Sequence, residues 1–456
     1  MASLDAATVH RLEEFLGDWL TDANVPGASI AVVRDGEPVY SAGFGSRELT
    51  ENAPATAETR YGVASCTKSF TALSMQLLAE RGELALDDPL SNHLDGIRIE
   101  GADGPIRLHD LLTHSSGLPS LGTSTVLLYR LTGVKEYGVP LGDREDFHRH
   151  LNGAVDEVAG PRGERFMYCN SGYNLLGEVV EAVSGRPFEQ FVTEEILDPL
   201  GMERSGMDPT ALEDGDAMTP HALKDGDAEA TPFPYRPVSL PAGGLIAPVT
   251  ELTNYLRMQQ NGGVFEGERL IAEEALAEAH AGHMQRADSE YGYGWQREQA
   301  LGRTLVGHGG SLGVSSSYMG FTEDGEWALA MAANTLPSPS PPTVAKGVLA
   351  VLLGEEPTEA VPFFARRARF EELTGEYEAY RGITTATVEQ EAGALKLTSE
   401  GALGDQELTL LPKNPENPGE AFEIPTMEGA RKTATFESHE DHVDLYYDRN
   451  RLHKVN

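Results

Sequence analysis

The chain has 456 residues, with 35 lysines and arginines against 72 aspartates and glutamates, a formal net charge of −37. That length makes one large or two ordinary domains with a substantial core, and a hydrophobic content of 40% excludes a disordered acidic protein. Nucleic acid and anionic membranes are excluded as partners, because no basic stripe exists to neutralise phosphates. The acid is spread along the chain, as expected of a surface adapted to very high salt. At about 1 M salt the Debye length falls to roughly 3 Å, so like charges hardly repel one another.

In chain order, residues 1–16 form an amphipathic helix carrying acid, not a basic segment followed by an apolar run. No signal peptide is read there, and no stretch reaches the ~20 apolar residues of a membrane span. A cytoplasmic protein is the expectation. Residues 27–45 alternate as two strands around Asp35-Gly36.

Next comes Ser65-Cys66-Thr67-Lys68, opening a helix over 65–81 in which Phe70, Leu73, Leu77 and Leu78 recur at helical spacing. Residues at i and i+3 share a face, so Lys68 reaches Ser65. A serine hydroxyl is a poor nucleophile until a base takes its proton, and a lysine drawn out of water is such a base. Ser65 is the one serine three residues before a lysine in this chain.

Further helices are predicted over 106–114, 174–184, 188–197 and 249–260, and strands over 291–297, 303–309, 314–321 and 326–334, with a closing helix over 341–353. Tyr168-Cys169-Asn170 precedes the second of these helices, and Gly307-His308-Gly309-Gly310-Ser311 ends the second of these strands. From about Phe370 short alternating runs split by turns predict a small antiparallel β domain over 365–456, after a first domain over 1–355.

The ordered set Ser-x-x-Lys, Tyr-x-Asn and a Gly-rich strand opening with a basic residue resembles the serine penicillin-recognising enzymes. Within them the Tyr-x-Asn form is similar to the branch of class C beta-lactamases, D-alanyl-D-alanine carboxypeptidases, family VIII esterases and related serine peptidases. Val25-Pro26-Gly27, the loop Asp110–Leu118, Pro241–Leu245 and Tyr291–Trp295 match that branch in type and order, so the resemblance covers about residues 5 to 350.

The resemblance implies an α+β fold: an antiparallel sheet flanked by N- and C-terminal helices, plus a mostly helical subdomain. A lipocalin-like antiparallel β-barrel domain follows, with a role in packing or oligomer contacts. It also implies an acyl-enzyme on Ser65, with Lys68 and Tyr168 sharing the proton work and neither singled out as the acylation base. Asn170 would hold Lys68 and the substrate amide, and the N–H groups of Ser65 and Ser311 would form the oxyanion hole. His308, Gly309 and Gly310 stand where beta-lactamases carry Lys-Thr-Gly. A histidine is mostly neutral at pH 7 where a lysine is a fixed cation, which moves the expected substrate from beta-lactams towards small esters or peptide bonds. A beta-lactamase or D-alanyl-D-alanine carboxypeptidase is the alternative, and a non-catalytic binding protein on the same fold is the second alternative.

Cys66 and Cys169 are expected as buried thiols rather than a redox clamp. Gly309-Gly310-Ser311-Leu312-Gly313 fits a nucleophile elbow, but the β character of the following residues denies it the helix that motif needs. Neither cofactor nor metal is expected, since His148/His150 and His280/His283 belong to no recognised ligand set.

Overall fold

The computed structural model describes residues 3–455 apart from 214, 225, 235 and 401–404. It divides into two compact units, Met1–Ala345 and Lys346–Asn456, with the helix Pro341–Leu352 lying across the division.

In the first unit nine antiparallel strands form one sheet. Its order is Met284–Arg286, Ser289–Tyr291, Gln296–Ala300, Arg303–Ser311, Ser316–Thr322, Trp327–Ala333, Gly27–Arg34, Glu37–Glu48 and Ala53–Pro54. Trp327–Ala333 and Ser316–Thr322 are buried along their whole length. Both faces are therefore covered, which explains why they read as continuous apolar runs rather than as alternation. The predicted strand over 291–297 is broken in two. At Gly292 a Cβ would fall 2.1 Å from the Ala279 carbonyl oxygen, and Gly294 sits at φ +74° with its backbone against that of Lys68. The close approach, not propensity, interrupts the strand.

The helix predicted over 65–81 is a 3₁₀ turn, Ala64–Cys66, running into an α-helix, Thr67–Glu80. Every residue from Thr67 to Leu78 is buried, so this is a central helix covered on all sides. Phe70 stacks on Tyr255 with ring centroids 3.9 Å apart. Truncating such a ring typically costs about 3–5 kcal/mol. The helix Asn170–Ser184 packs against it and ends on Gly185 at φ +70°. The predicted helix over 188–197 divides into an α segment, Phe188–Val192, and a π turn, Thr193–Leu197. Helices Thr123–Leu131 and Arg144–Asn152 were not anticipated from the sequence. The N-terminal helix runs from Ala6 to Asp22; Met1 and Ala2, where its reading began, lie outside the described residues.

The second unit is a closed barrel of eight antiparallel strands between Gly375 and Val455. Two of them, Ala421–Pro425 and Asn450–Val455, and the preceding helix Pro362–Leu373 escape the sequence reading. Tyr377, Leu397, Leu410, Phe422, Phe436 and Leu445 share one apolar core with Phe370 and Leu373 of that helix. The α+β first unit and the antiparallel barrel match the expected fold class. No helix among the described residues is long and apolar enough to cross a membrane.

Candidate active site

From Tyr61 to Leu78 every residue is buried except Ser65, which is partly exposed. The residue before it, Ala64, adopts φ +51°, an unfavourable region for a side chain bearing a Cβ. Strain of that kind persists where surrounding structure over-determines it. Here the surroundings are identifiable: a Cβ on Gly310 would fall 2.2 Å from the Val63 carbonyl oxygen and 3.0 Å from the Ala64 Cβ. The strand Arg303–Ser311 thus presses its backbone directly on the turn that carries Ser65. Gly309 has no more room, since its Cβ would meet Pro342 Cγ at 2.6 Å.

One turn along the helix, Lys68 is 0% exposed. Its Nζ lies 3.1 Å from Ser65 Oγ and donates to the Ala242 carbonyl oxygen at 2.7 Å. It also sits over the Tyr168 ring at 4.9 Å and the Tyr173 ring at 5.5 Å, and it forms no ion pair with any described carboxylate. Burial lowers its pKa to about 7, against a weaker opposing pull from Cys66 and Cys169. Those thiols are themselves pushed up by burial, Cys66 to about 12, so they hold their protons and the opposing pull is small. The amine is divided between charged and neutral forms near neutral pH.

Tyr168 directly precedes the helix Asn170–Ser184. It keeps part of its surface exposed, yet burial of the phenol is the largest influence and raises its pKa, opposed by a hydrogen bond with Ser65. It remains a phenol at neutral pH. Its place is fixed by His114, whose ring packs 4.3 Å from that of Tyr168 and whose Nδ1 accepts from the Cys169 N–H at 3.1 Å. His114 is itself held neutral by burial and by the nearby Lys68. The structure thus brings Ser65, Lys68 and Tyr168 together from two distant segments.

Asn170 stands beside them with a different partner from the one the sequence suggested. Its Nδ2 donates to Ser124 Oγ at 2.8 Å, and its Oδ1 is buried without a partner among the described residues. The bonds of Lys68 go to Ser65 and Ala242. His308 is also turned elsewhere. Its Nδ1–H donates to the Gly309 carbonyl at 2.6 Å, and its Nε2 accepts from the Tyr291 hydroxyl at 3.1 Å. Burial first and Lys68 second lower its pKa to about 3, so the ring is neutral.

Ser65, Asn170 and Ser311 line a cleft with an empty volume of about 620 Å³. Its apolar lining includes Leu127, Leu128 and Leu131 of the helix Thr123–Leu131, together with Phe233 and Leu312. His308, Gly309 and Gly310 are not among the lining residues; Gly310 bears on the site through the turn before Ser65. Arg236 is the one cation in the described lining, and its guanidinium has no ion pair among the described residues. Beyond Ser311 the chain returns as the strand Ser316–Thr322, so the helix of a nucleophile elbow is absent. Both cysteines are free and buried, and Cys66 Sγ donates to the His308 carbonyl at 3.1 Å. His148 bonds Glu178 and His150 the Leu121 carbonyl. His280 bonds Gln259, and His283 the Glu278 carbonyl.

A family model described as Beta-lactamase matches residues 6–353, and one described as Pab87 octamerisation domain matches residues 357–453. Protein flp of Staphylococcus aureus is 32% identical over 188 residues, 41% of this chain and 36% of that protein. Esterase EstB of Burkholderia gladioli is 33% identical over 211 residues, 45% of this chain and 53% of that one. The chain thus spans about half or less of the length of these curated relatives. The octameric penicillin-binding protein homologue from Pyrococcus abyssi superposes with a TM-score of 0.89 at 32% identity, covering 98% of this chain and 100% of that one. EstCE1, a hydrolase with promiscuous acyltransferase activity, superposes with a TM-score of 0.60 at 19% identity, over 72% of this chain and 93% of that one. That likeness is one of fold. By the family match over most of its length, and by the agreement of its whole fold with the Pyrococcus protein, the chain belongs to the beta-lactamase family.

Proposed function

We propose that the protein is a serine hydrolase that cleaves small esters or peptide bonds through an acyl-enzyme on Ser65. The observation that carries this reading is the buried Lys68 amine, 3.1 Å from the Ser65 hydroxyl and with no carboxylate to hold its proton. In its neutral form Lys68 accepts the hydroxyl proton as Oγ attacks the carbonyl carbon. Its lowered pKa, against the raised pKa of Tyr168, makes Lys68 the acylation base and Tyr168 the proton donor. As the bond to the leaving oxygen or nitrogen breaks, Tyr168 delivers its proton there and is reprotonated by the Lys68 ammonium beneath its ring. Water then attacks the acyl-enzyme by the reverse proton path. The N–H groups of Ser65 and Ser311 receive the negative charge of the tetrahedral state; removing one such donor typically lowers kcat by about 10²–10³. Asn170 lines the cleft, and its unpartnered Oδ1 is an acceptor for the N–H of a substrate amide.

The apolar wall suits an acyl group with little charge. Arg236 favours a second reading, in which the substrate bears a carboxylate, as beta-lactams and D-alanyl peptides do. The decisive experiment is labelling with a fluorophosphonate probe, followed by a panel of p-nitrophenyl esters, nitrocefin and L- and D-aminoacyl peptides in molar KCl. Labelling abolished by Ser65→Ala, with ester or peptide turnover, is expected. Rapid nitrocefin turnover with negligible ester and peptide turnover would move the assignment to a beta-lactamase. No labelling of the wild-type protein would leave a binding protein on a hydrolase fold.

The net charge of −37 supports work in a high-salt cytoplasm. The family match of residues 357–453, and the octameric state named for the Pyrococcus relative, support self-assembly of this chain through its second domain. Light scattering in molar KCl is expected to give a mass several times that of one chain, and a monomer would refute it.

A further inference from the structure

The barrel carries a cluster of side chains far in sequence from the hydrolase motifs. His439 and His442 bracket the turn between strands Arg431–Ser438 and Val443–Tyr447, where the His439 N–H donates to the His442 carbonyl at 2.8 Å. Their rings stack with centroids 4.5 Å apart. Two residues on, Asp444 is 0% exposed, and His453 lies opposite it in the register of the next strand. His439 Nε2 is 3.3 Å from Asp444 Oδ2, and His442 Nε2 is 3.7 Å from Asp444 Oδ1. The three donor atoms lie within 4.8 Å of one another.

The two nitrogen–oxygen separations are long for hydrogen bonds and close to the spacing of ligands around a metal. Two ligands each about 2.0–2.2 Å from a tetrahedral zinc ion stand roughly 3.3–3.6 Å apart. The surroundings orient the donors as well. Asp441 accepts from His442 Nδ1–H at 2.6 Å, which leaves the lone pair on Nε2, the atom that faces Asp444. A carboxylate behind a histidine is the arrangement that fixes the tautomer and orientation of a metal ligand. On the other side Arg451 holds Asp444 Oδ2 at 2.6 Å, and His453 Nδ1 meets Oδ1 at 2.5 Å. The carboxylate is thereby fixed in the face of the two imidazoles. We propose that His439, His442 and Asp444 form a binding site for a divalent transition metal ion, with His453 beside it and Asp441 orienting His442. Two nitrogens and one oxygen select zinc, cobalt or nickel over magnesium or calcium. Such an ion would tie the turn to the neighbouring strand pair.

The expectation of no metal rests on the lack of a recognised ligand set around two other histidine pairs, both of which bond within the protein. His-x-x-His-x-Asp was legible at 439–444, but nothing local shows that the turn folds both rings onto the aspartate.

The test is a titration of the full chain, stripped with chelator, by Co²⁺ in molar KCl, which screens diffuse cation binding to the acidic surface. Saturable binding of one equivalent per chain is expected, with visible absorption bands that disappear on adding Zn²⁺. His439→Ala/His442→Ala is expected to abolish the saturable phase. Asp441→Asn, at an exposed position, is expected to weaken it by about 10–100-fold and keeps the test open should the double variant fail to fold. Absence of a one-equivalent phase in the wild-type protein, or the same isotherm in the variants, overturns the site. The outcome does not depend on Ser65.

Discussion

Lys68 and Asp444 are both 0% exposed, one in each unit, and their surroundings are opposite. Lys68 has a hydroxyl, a carbonyl and two aromatic faces for company, and no counter-charge. Asp444 is met by a guanidinium and three imidazoles. In a protein with twice as many acids as bases, the buried cation is the one denied an acid. Burial without a partner leaves a group reactive, whereas burial among partners leaves it fixed.

The largest expected break in this comparison is Lys68→Met, which should lower kcat/KM by about 10³-fold or more. It should also raise Tm, because an uncompensated buried amine is replaced by an apolar chain of similar size. Activity loss with an unchanged or lowered Tm would show that the amine is not a burden on the fold. Next, Tyr168→Phe is expected to lower kcat by about 10²-fold while Ser65 still labels with the probe; a rate within a few-fold of wild type would remove Tyr168 from the proton path. Asp444→Asn is expected to lower Tm modestly, since Arg451 and His453, which it releases, are themselves half exposed. A fall as large as that of a core truncation such as Phe70→Ala would overturn this view of the cluster.

The pH dependence sharpens the comparison further. Lys68 is lowered from 10.5 to about 7 on folding. The unfolded chain therefore binds the extra proton between those values, and stability rises with pH across that window. The burden of burying the ammonium is present in full below pH 7 and is relieved above it. The clearest range is pH 7 to 9, below the ordinary thiol value of 9.0. kcat/KM should climb through pH 7 as the neutral amine appears, and a flat profile there would exclude Lys68 as base. The effect smallest per residue, because it is spread over the whole surface, is that of salt: Tm is expected to rise between 0.1 and 2 M KCl, and a fall would refute the high-salt reading.

Much of this was legible because it is local. The i, i+3 spacing of Ser65 and Lys68, the central helix and a strand over 303–309, which the structure extends to Ser311, all follow from periodicity and short motifs. What was hidden depends on segments meeting. The Ala242 carbonyl that receives Lys68 lies 174 residues away. The partner of Asn170 is on a helix whose sequence, Thr123–Leu131, has weak start and stop signals. His308 looked like a group facing substrate because strand alternation gives two faces and no statement of which is the cleft; Tyr291 and Gly309 decide it. In the barrel, the strand Ala421–Pro425 is only five residues long and ends in proline, which demotes it in any pattern of alternation.

The sealed position of Lys68 has a consequence for chemical modification. With its pKa lowered to about 7, this amine spends much of its time near neutral pH in the form that attacks anhydrides and active esters. Enclosed as it is, it meets none of them, and only the Ser65 hydroxyl in front of it shows at the surface of that segment. Amine-directed reagents should therefore decorate the outside and spare the inner residue, whereas an electrophile small enough to enter the cleft is captured by oxygen rather than nitrogen.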